Sequence, residues 1–175
     1  MASVFQAVIV AAKFVVPMVM LYLPWLGMWS NYILDIVDGD LLQALGMSDW
    51  WYQRIDKSAD LFSYLIMWLM ARHWQVARLI TILFAYRIIG QLLFFATGDE
   101  IWFVYFQNFL EPFLLIYSLI VWRQKSEKKA YAVYLKHWKL IWAVVVAYKL
   151  WNEWYLHWAN IDLSLLIFGI NGNQV

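Results

Sequence analysis

The chain has no cysteine, three prolines, seven glycines and only 14% charged residues over 175 positions. Without cysteine there are no disulfides and no thiolate metal sites. So few prolines and glycines leave long stretches without a helix breaker. Charge is about half the usual share of roughly 25%, and a formal net charge of +1 supplies no basic face for nucleic acid. There is no glycine-rich phosphate loop, nucleophile elbow or zinc motif, and the three histidines share no metal-ligand spacing. No internal repeat, soluble domain or flexible linker interrupts the chain.

Apolar side chains fill the remainder. Hydrophobic residues make up 65%, against about 45–50% in soluble domains, more than the interior of a domain this size can hide. The 13 tryptophans and 11 tyrosines suit the headgroup level of a bilayer, where an apolar ring and a polar tip are both satisfied. The composition predicts one integral membrane domain over residues 1–175.

A membrane helix needs about 20 mainly apolar residues. The first such stretch runs from Val4 to about Trp29 and contains Lys13, Pro17 and Pro24. It lacks a basic start and an Ala-x-Ala-like end, so it reads as a retained span and not a cleaved signal. Pro24 and Gly27 interrupt it, and a shorter helical piece continues from about Trp25 to Val37, so the pattern allows one crossing or two. A polar, Trp-containing stretch from Asp38 to Arg54 follows. Further spans are expected over about Asp56–His73, Val76–Ala96, Ile101–Trp122 and Leu140–Trp158, with a tight turn at Thr97-Gly98-Asp99-Glu100 and a basic connector over Arg123–Lys139. The apolar tail from Ile161 to Ile170 is too short to cross alone. Segments apolar on all sides for 18 residues or more favour helices over barrel strands, which alternate. The expected fold is therefore all-α: a polytopic, multi-pass helical bundle with five or six transmembrane helices.

The densest chemistry lies between Asp35 and Asp60. Asp35 and Asp38 are three apart and Asp56 and Asp60 four apart, so each pair shares a helix face. The first pair closes one apolar segment and the second opens the next, at similar depth. Four crowded carboxylates repel one another, and a divalent cation resolves the conflict. Mg²⁺ takes oxygen ligands and keeps part of its shell for water and substrate phosphate, so such a cage suits phosphoryl chemistry.

Asp35-Ile36-Val37-Asp38-Gly39 followed by Asp56-Lys57-Ser58-Ala59-Asp60 resembles the signature of the CDP-alcohol phosphatidyltransferases, D-x-x-D-G-x-x-A-R, eight residues, G-x-x-x-D-x-x-x-D. All four aspartates and the first glycine fall at its spacing, over about 26 residues. The resemblance implies Asp35, Asp38, Asp56 and Asp60 around two Mg²⁺ or Mn²⁺ ions. It also implies Asp60 as the base that deprotonates an acceptor alcohol, attack on a CDP-linked or other pyrophosphate donor, and often a homodimer. Two positions depart from the signature. Its Ala-Arg falls on Leu42-Gln43 and its second glycine on Tyr52, where small residues leave room for the nucleotide.

Arg72, Arg78, Arg123, Lys125, Lys128, Lys129, Lys136 and Lys139 fall on the face opposite the aspartates. The positive-inside rule then puts the carboxylates on the non-cytoplasmic side, which fits a single crossing by the first segment with the N-terminus inside. Arg87 and Glu111 lie at similar depth on neighbouring spans and are expected to pair, or Arg87 faces a cavity and holds a substrate phosphate. Gln91, Gln107 and Asn108 extend this polar region towards the aspartates, so Gly39, Arg87 and Gln91 are the candidate substrate-binding residues. Lys149, Asn152 and Glu153 form a second cluster, with His157 one turn on. Lys13 reads as a snorkelling side chain near a span end. His73 and His137 sit near the basic face and suggest no site. Three functions follow: a metal-dependent transferase of the resembled type, a non-catalytic scaffold or metal-binding protein of that fold, or a small transporter subunit whose polar path runs through Arg87, Glu111 and the carboxylates.

Overall fold

A computed structural model of the chain describes residues 2–154, and every regular element among them is helical. The order is α1 (Ala2–Val15), a 3-10 turn (Val16–Leu21), α2 (Pro24–Ala44), α3 (Asp49–Ala71), α4 (Ala77–Thr97), α5 (Ile101–Tyr105), α6 (Leu110–Gln124) and α7 (Glu127–Trp154). The tail at 161–170, His157 and the Glu153 side chain lie outside the described residues.

The first 44 residues form a helical hairpin. α1 stops just before Pro17, which lacks the N–H an α-helix needs and disfavours helical geometry in the residue before it. The chain tightens into the 3-10 turn, and Pro24 then opens α2 at a position where its missing N–H costs nothing. Gly27 does not break the helix as its sequence context suggests. It lies inside α2, at a close approach to the 3-10 turn where any Cβ would run into the Met20 backbone nitrogen. The two arms run antiparallel, with Gln6 donating to the Leu45 carbonyl at 3.0 Å, Lys13 reaching Asp38 and Met20 meeting Gly27. The N-terminal end of α1 therefore lies at the carboxylate end of the bundle. This differs from the single crossing of the region that charge bias suggests.

Three other boundaries differ from expectation. Gly39 lies within α2, and the turn comes at Gly46, in the left-handed region at φ 83°. The stretch Ile101–Trp122 is two helices, α5 and α6, joined by residues 106–109. Asn108 accepts from the Glu111 N–H at 3.1 Å, and such side-chain bonds compete with a continuous helix. Phe106 folds onto Gly90, where a Cβ would lie 2.4 Å from the Phe106 Cβ. The expected connector over Arg123–Lys139 is mostly the first part of α7, which bends at His137. The Glu127 carboxylate at its start accepts from the Gln75 N–H at 2.8 Å and the Tyr117 hydroxyl at 2.8 Å, joining two turns. The turn after α4 falls as expected, with Gly98 at φ 73°.

The core sits between the hairpin, α3, α6 and α7, around Met20, Met28, Met67, Phe113, Leu114 and Val145, all fully buried. Phe113 stacks on Trp142 and on Tyr117 with centroids 5.6 and 5.7 Å apart, an arrangement that adds about 0.5–1.5 kcal/mol per aromatic pair beyond area burial. Two helical stretches, Ser3–Leu21 and Ala77–Thr97, are long and apolar enough to cross a membrane. α2, α3 and α7 match them in length, at 21, 23 and 28 residues, but charged residues gather at the end of α2 and the start of α3 and recur along α7.

Gly27→Ala forces its new methyl into the Met20 backbone, which cannot rotate away. Overpacking of this kind costs about 1–3 kcal/mol, so we expect a lower thermal unfolding midpoint in detergent, followed by circular dichroism. An unchanged midpoint would contradict the hairpin packing.

Candidate functional site

α2 ends and α3 begins at the same end of the bundle, and this brings the paired aspartates together. Asp35, Asp38 and Asp56 each turn one oxygen to within 4.8 Å of the others, a spacing a metal ion could use. Lys13 of α1 enters between them. Its Nζ lies 2.5 Å from Asp38 Oδ2, 2.5 Å from Asp56 Oδ1 and 3.3 Å from Asp35 Oδ1. An ammonium carries three N–H donors and no acceptor, so the three carboxylates saturate it. Lys13 is 4% exposed and Asp38 fully buried, while the Asp35 side chain is 40% exposed and forms the open wall. Asp60 joins through a second ammonium: Lys57 Nζ lies 2.6 Å from Asp56 Oδ2 and 3.7 Å from Asp60 Oδ2. Asp56 thus bridges two lysines, one through each oxygen.

Electrostatics follow from depth. The Asp38 side chain is fully buried, and the Lys13 ammonium offsets the hydration its charge loses. Its Oδ1 has no hydrogen-bond partner.

The sequence-derived candidates divide into two groups. Asp35, Asp38 and Asp56 converge, while Asp60 is not within ligand distance of that group and is tied to it through Lys57. Gly39 lies beside them but faces Tyr52, and a Cβ on Gly39 would stand 2.7 Å from the Tyr52 hydroxyl oxygen. Leu42, one turn on, is fully buried. Both positions that the signature keeps small are thus filled. Gln91 is fully buried and donates to the Lys57 carbonyl at 2.6 Å, binding α4 to the rim of the cluster. Arg87 does not pair with Glu111. Its Nη1 donates to the Phe106 carbonyl at 2.9 Å and its guanidinium lies 4.6 Å from the Phe103 ring centre, while its Nε has no hydrogen-bond partner. Glu111 instead accepts from Asn108 at 3.0 Å, because the break before α6 brings Asn108 to it. Lys149 is buried.

Lys13 is the residue that sequence reasoning misplaced, since it does not snorkel to the interface. A usable signal existed: it is the lone charge among the first 34 residues, and a charge deep in an apolar segment needs a partner. The donor set of three carboxylates suits a hard cation by chemistry. A divalent ion at oxygen distances of about 2.0–2.6 Å would nevertheless overlap the Lys13 ammonium. The residues therefore do not fit a metal while Lys13 holds its place.

Comparison with known proteins finds no matching family model, no curated relative and no similar solved structure.

The Tyr52–Gly39 contact has a measurable sign. In a helix, Gly→Ala is ordinarily stabilising by up to about 1 kcal/mol. We expect Gly39→Ala to be neutral or destabilising in the native chain and stabilising in a Tyr52→Ala background. The expected coupling is about 0.5 kcal/mol or more in a double-mutant cycle. Additive effects would show that the two side chains do not compete for space.

Proposed function

We propose that the chain is a multi-pass membrane protein that keeps a helical scaffold like that of the CDP-alcohol phosphatidyltransferases and serves as a non-catalytic member, without their transfer reaction. The observation that carries this reading is the filled space beside the aspartates. The Tyr52 ring lies against Gly39 and Leu42 is fully buried, where a nucleotide of the resembled type needs small residues. Multi-pass insertion is supported by the lengths of α2, α3 and α7 beside the two more apolar stretches, and by the apolar side chains that stay exposed on their outer faces, among them Ile33, Leu65, Ile82, Leu92 and Val144. The basic residues Arg72, Arg78, Arg123, Lys125, Lys128 and Lys129 are exposed at the other end, so charge bias favours a cytoplasmic basic end and a non-cytoplasmic carboxylate end.

Transport is the weaker reading. Below the aspartates the buried polar groups run to the Asn31–Ser63 hydrogen bond and to Asn108 against Tyr64. Beyond them lie Met28, Met67, Phe113 and Leu114, all fully buried, and the buried Ser118 hydroxyl is taken up by the Leu115 carbonyl of its own helix, which speaks against a polar path to the basic end among the described residues. A second, enzymatic reading retains the four aspartates, with Asp60 as base, Arg87 on a substrate phosphate and Gly39 and Gln91 beside the substrate; the convergence of Asp35, Asp38 and Asp56 is what favours it.

Two measurements test the proposal. Protein reconstituted in lipid with Mg²⁺ or Mn²⁺ and a panel of CDP-linked donors is expected to release no CMP above background. CMP release that falls in Asp60→Asn would restore the transferase reading. The chain lacks cysteine, so single-cysteine labelling reads orientation without background. Ser48→Cys should react with an impermeant maleimide from the non-cytoplasmic side, and Gln124→Cys from the cytoplasmic side. The reverse pattern would overturn the assigned orientation, and labelling of both from one side would overturn the multi-pass reading.

A further inference from the structure

We infer that Lys13 is the resident cation of the acidic cluster, an internal ammonium standing where the resembled family would hold a divalent ion, and that α1 is seated on the bundle by it. The inference deepens the reading of a non-catalytic scaffold and rests on it.

Three observations converge. First, coordination is complete on the lysine side, with three donors facing three carboxylates at 2.5, 2.5 and 3.3 Å. These carboxylates are the same three whose oxygens approach within 4.8 Å of one another. The space that a metal ion would take is therefore the space the ammonium takes. Second, Lys13 is the one buried side chain of α1 among the described residues; its neighbours Val4, Phe5, Val8 and Val15 are exposed. The Phe14 ring packs on Phe62 with centroids 5.6 Å apart, and beside that apolar contact Lys13 and Gln6 supply the polar ones that join the helix to the bundle. Third, Lys57 repeats the arrangement at the other oxygen of Asp56 and faces Asp60. Both sides of the cluster thus have a cation supplied by the chain. Two charges of the same sign cannot share so small a space, so Lys13 and a divalent ion exclude each other.

The test compares the native chain in detergent with Lys13→Met, which keeps the apolar stem and removes the charge, and with Lys13→Met combined with Asp38→Asn. Mn²⁺ is the probe, followed by the loss of the free-ion electron paramagnetic resonance signal and by the thermal midpoint with and without chelator. The native chain is expected to bind no Mn²⁺ and to keep its midpoint in chelator. Lys13→Met is expected to unfold at lower temperature, to gain Mn²⁺ affinity by about tenfold or more as one opposing charge is removed, and to recover midpoint when Mn²⁺ is added. The double variant should lose that gain. Mn²⁺ bound by the native chain overturns the inference, and this arm holds even if Lys13→Met does not fold. A Lys13→Met protein that keeps both the native midpoint and the native lack of Mn²⁺ binding overturns it as well. CMP release by a native chain that binds no Mn²⁺ would instead remove the non-catalytic reading and leave Lys13 as the resident cation.

Discussion

Four carboxylates within one end of a helical bundle repel one another, and their burial deepens the penalty. Something positive must lie among them for α2 and α3 to approach. Here that role falls to Lys13, with Nζ 2.5 Å from both Asp38 and Asp56, supported by Lys57 at 2.6 Å from the second Asp56 oxygen. Removing one partner of such a buried set leaves uncompensated charge, which costs about 3–5 kcal/mol. The position of α1, the closeness of the α2–α3 turn and the course of the N-terminal hairpin all depend on this contact.

The rest of the bundle is arranged around that constraint. Gly27 allows the 3-10 turn to press against α2, and that contact sets the height at which α1 runs back along α2. Gln91 bonds the Lys57 carbonyl from α4, so the second lysine is held from a neighbouring helix as well. The break between α5 and α6 redirects two polar groups. Arg87 caps the Phe106 carbonyl, and Glu111 is satisfied by Asn108, so neither requires the other. Further along, methionine, aromatic and aliphatic side chains make up the hydrophobic core among the described residues.

Helical class was legible because its signal is cumulative. Apolar runs around Ala77–Thr97, the paired spacing of Asp35/Asp38 and Asp56/Asp60, and the glycine turn at Gly98 each have a local cause. Boundaries that depend on remote partners were not legible. Nothing local in Ile101–Trp122 reveals that Phe106 packs onto Gly90, 16 positions earlier, and the Arg123–Lys139 stretch gives no local sign that Glu127 will meet Gln75. Gly27 shows the same limit: its sequence context suggests a break, while its packing makes it the close-approach point of an unbroken helix.

By itself, the sequence determined the helical state of its segments, the two stretches long and apolar enough to cross a membrane and the paired spacing of four aspartates, because composition, periodicity and spacing are properties of adjacent residues. Only the tertiary structure decided which cation answers those aspartates. Lys13 is 22 positions from Asp35 and 43 from Asp56, and no local rule links such distant charges. Their meeting depends on the antiparallel return of α2 beside α1, which Pro17, Pro24 and Gly27 make possible and only packing completes.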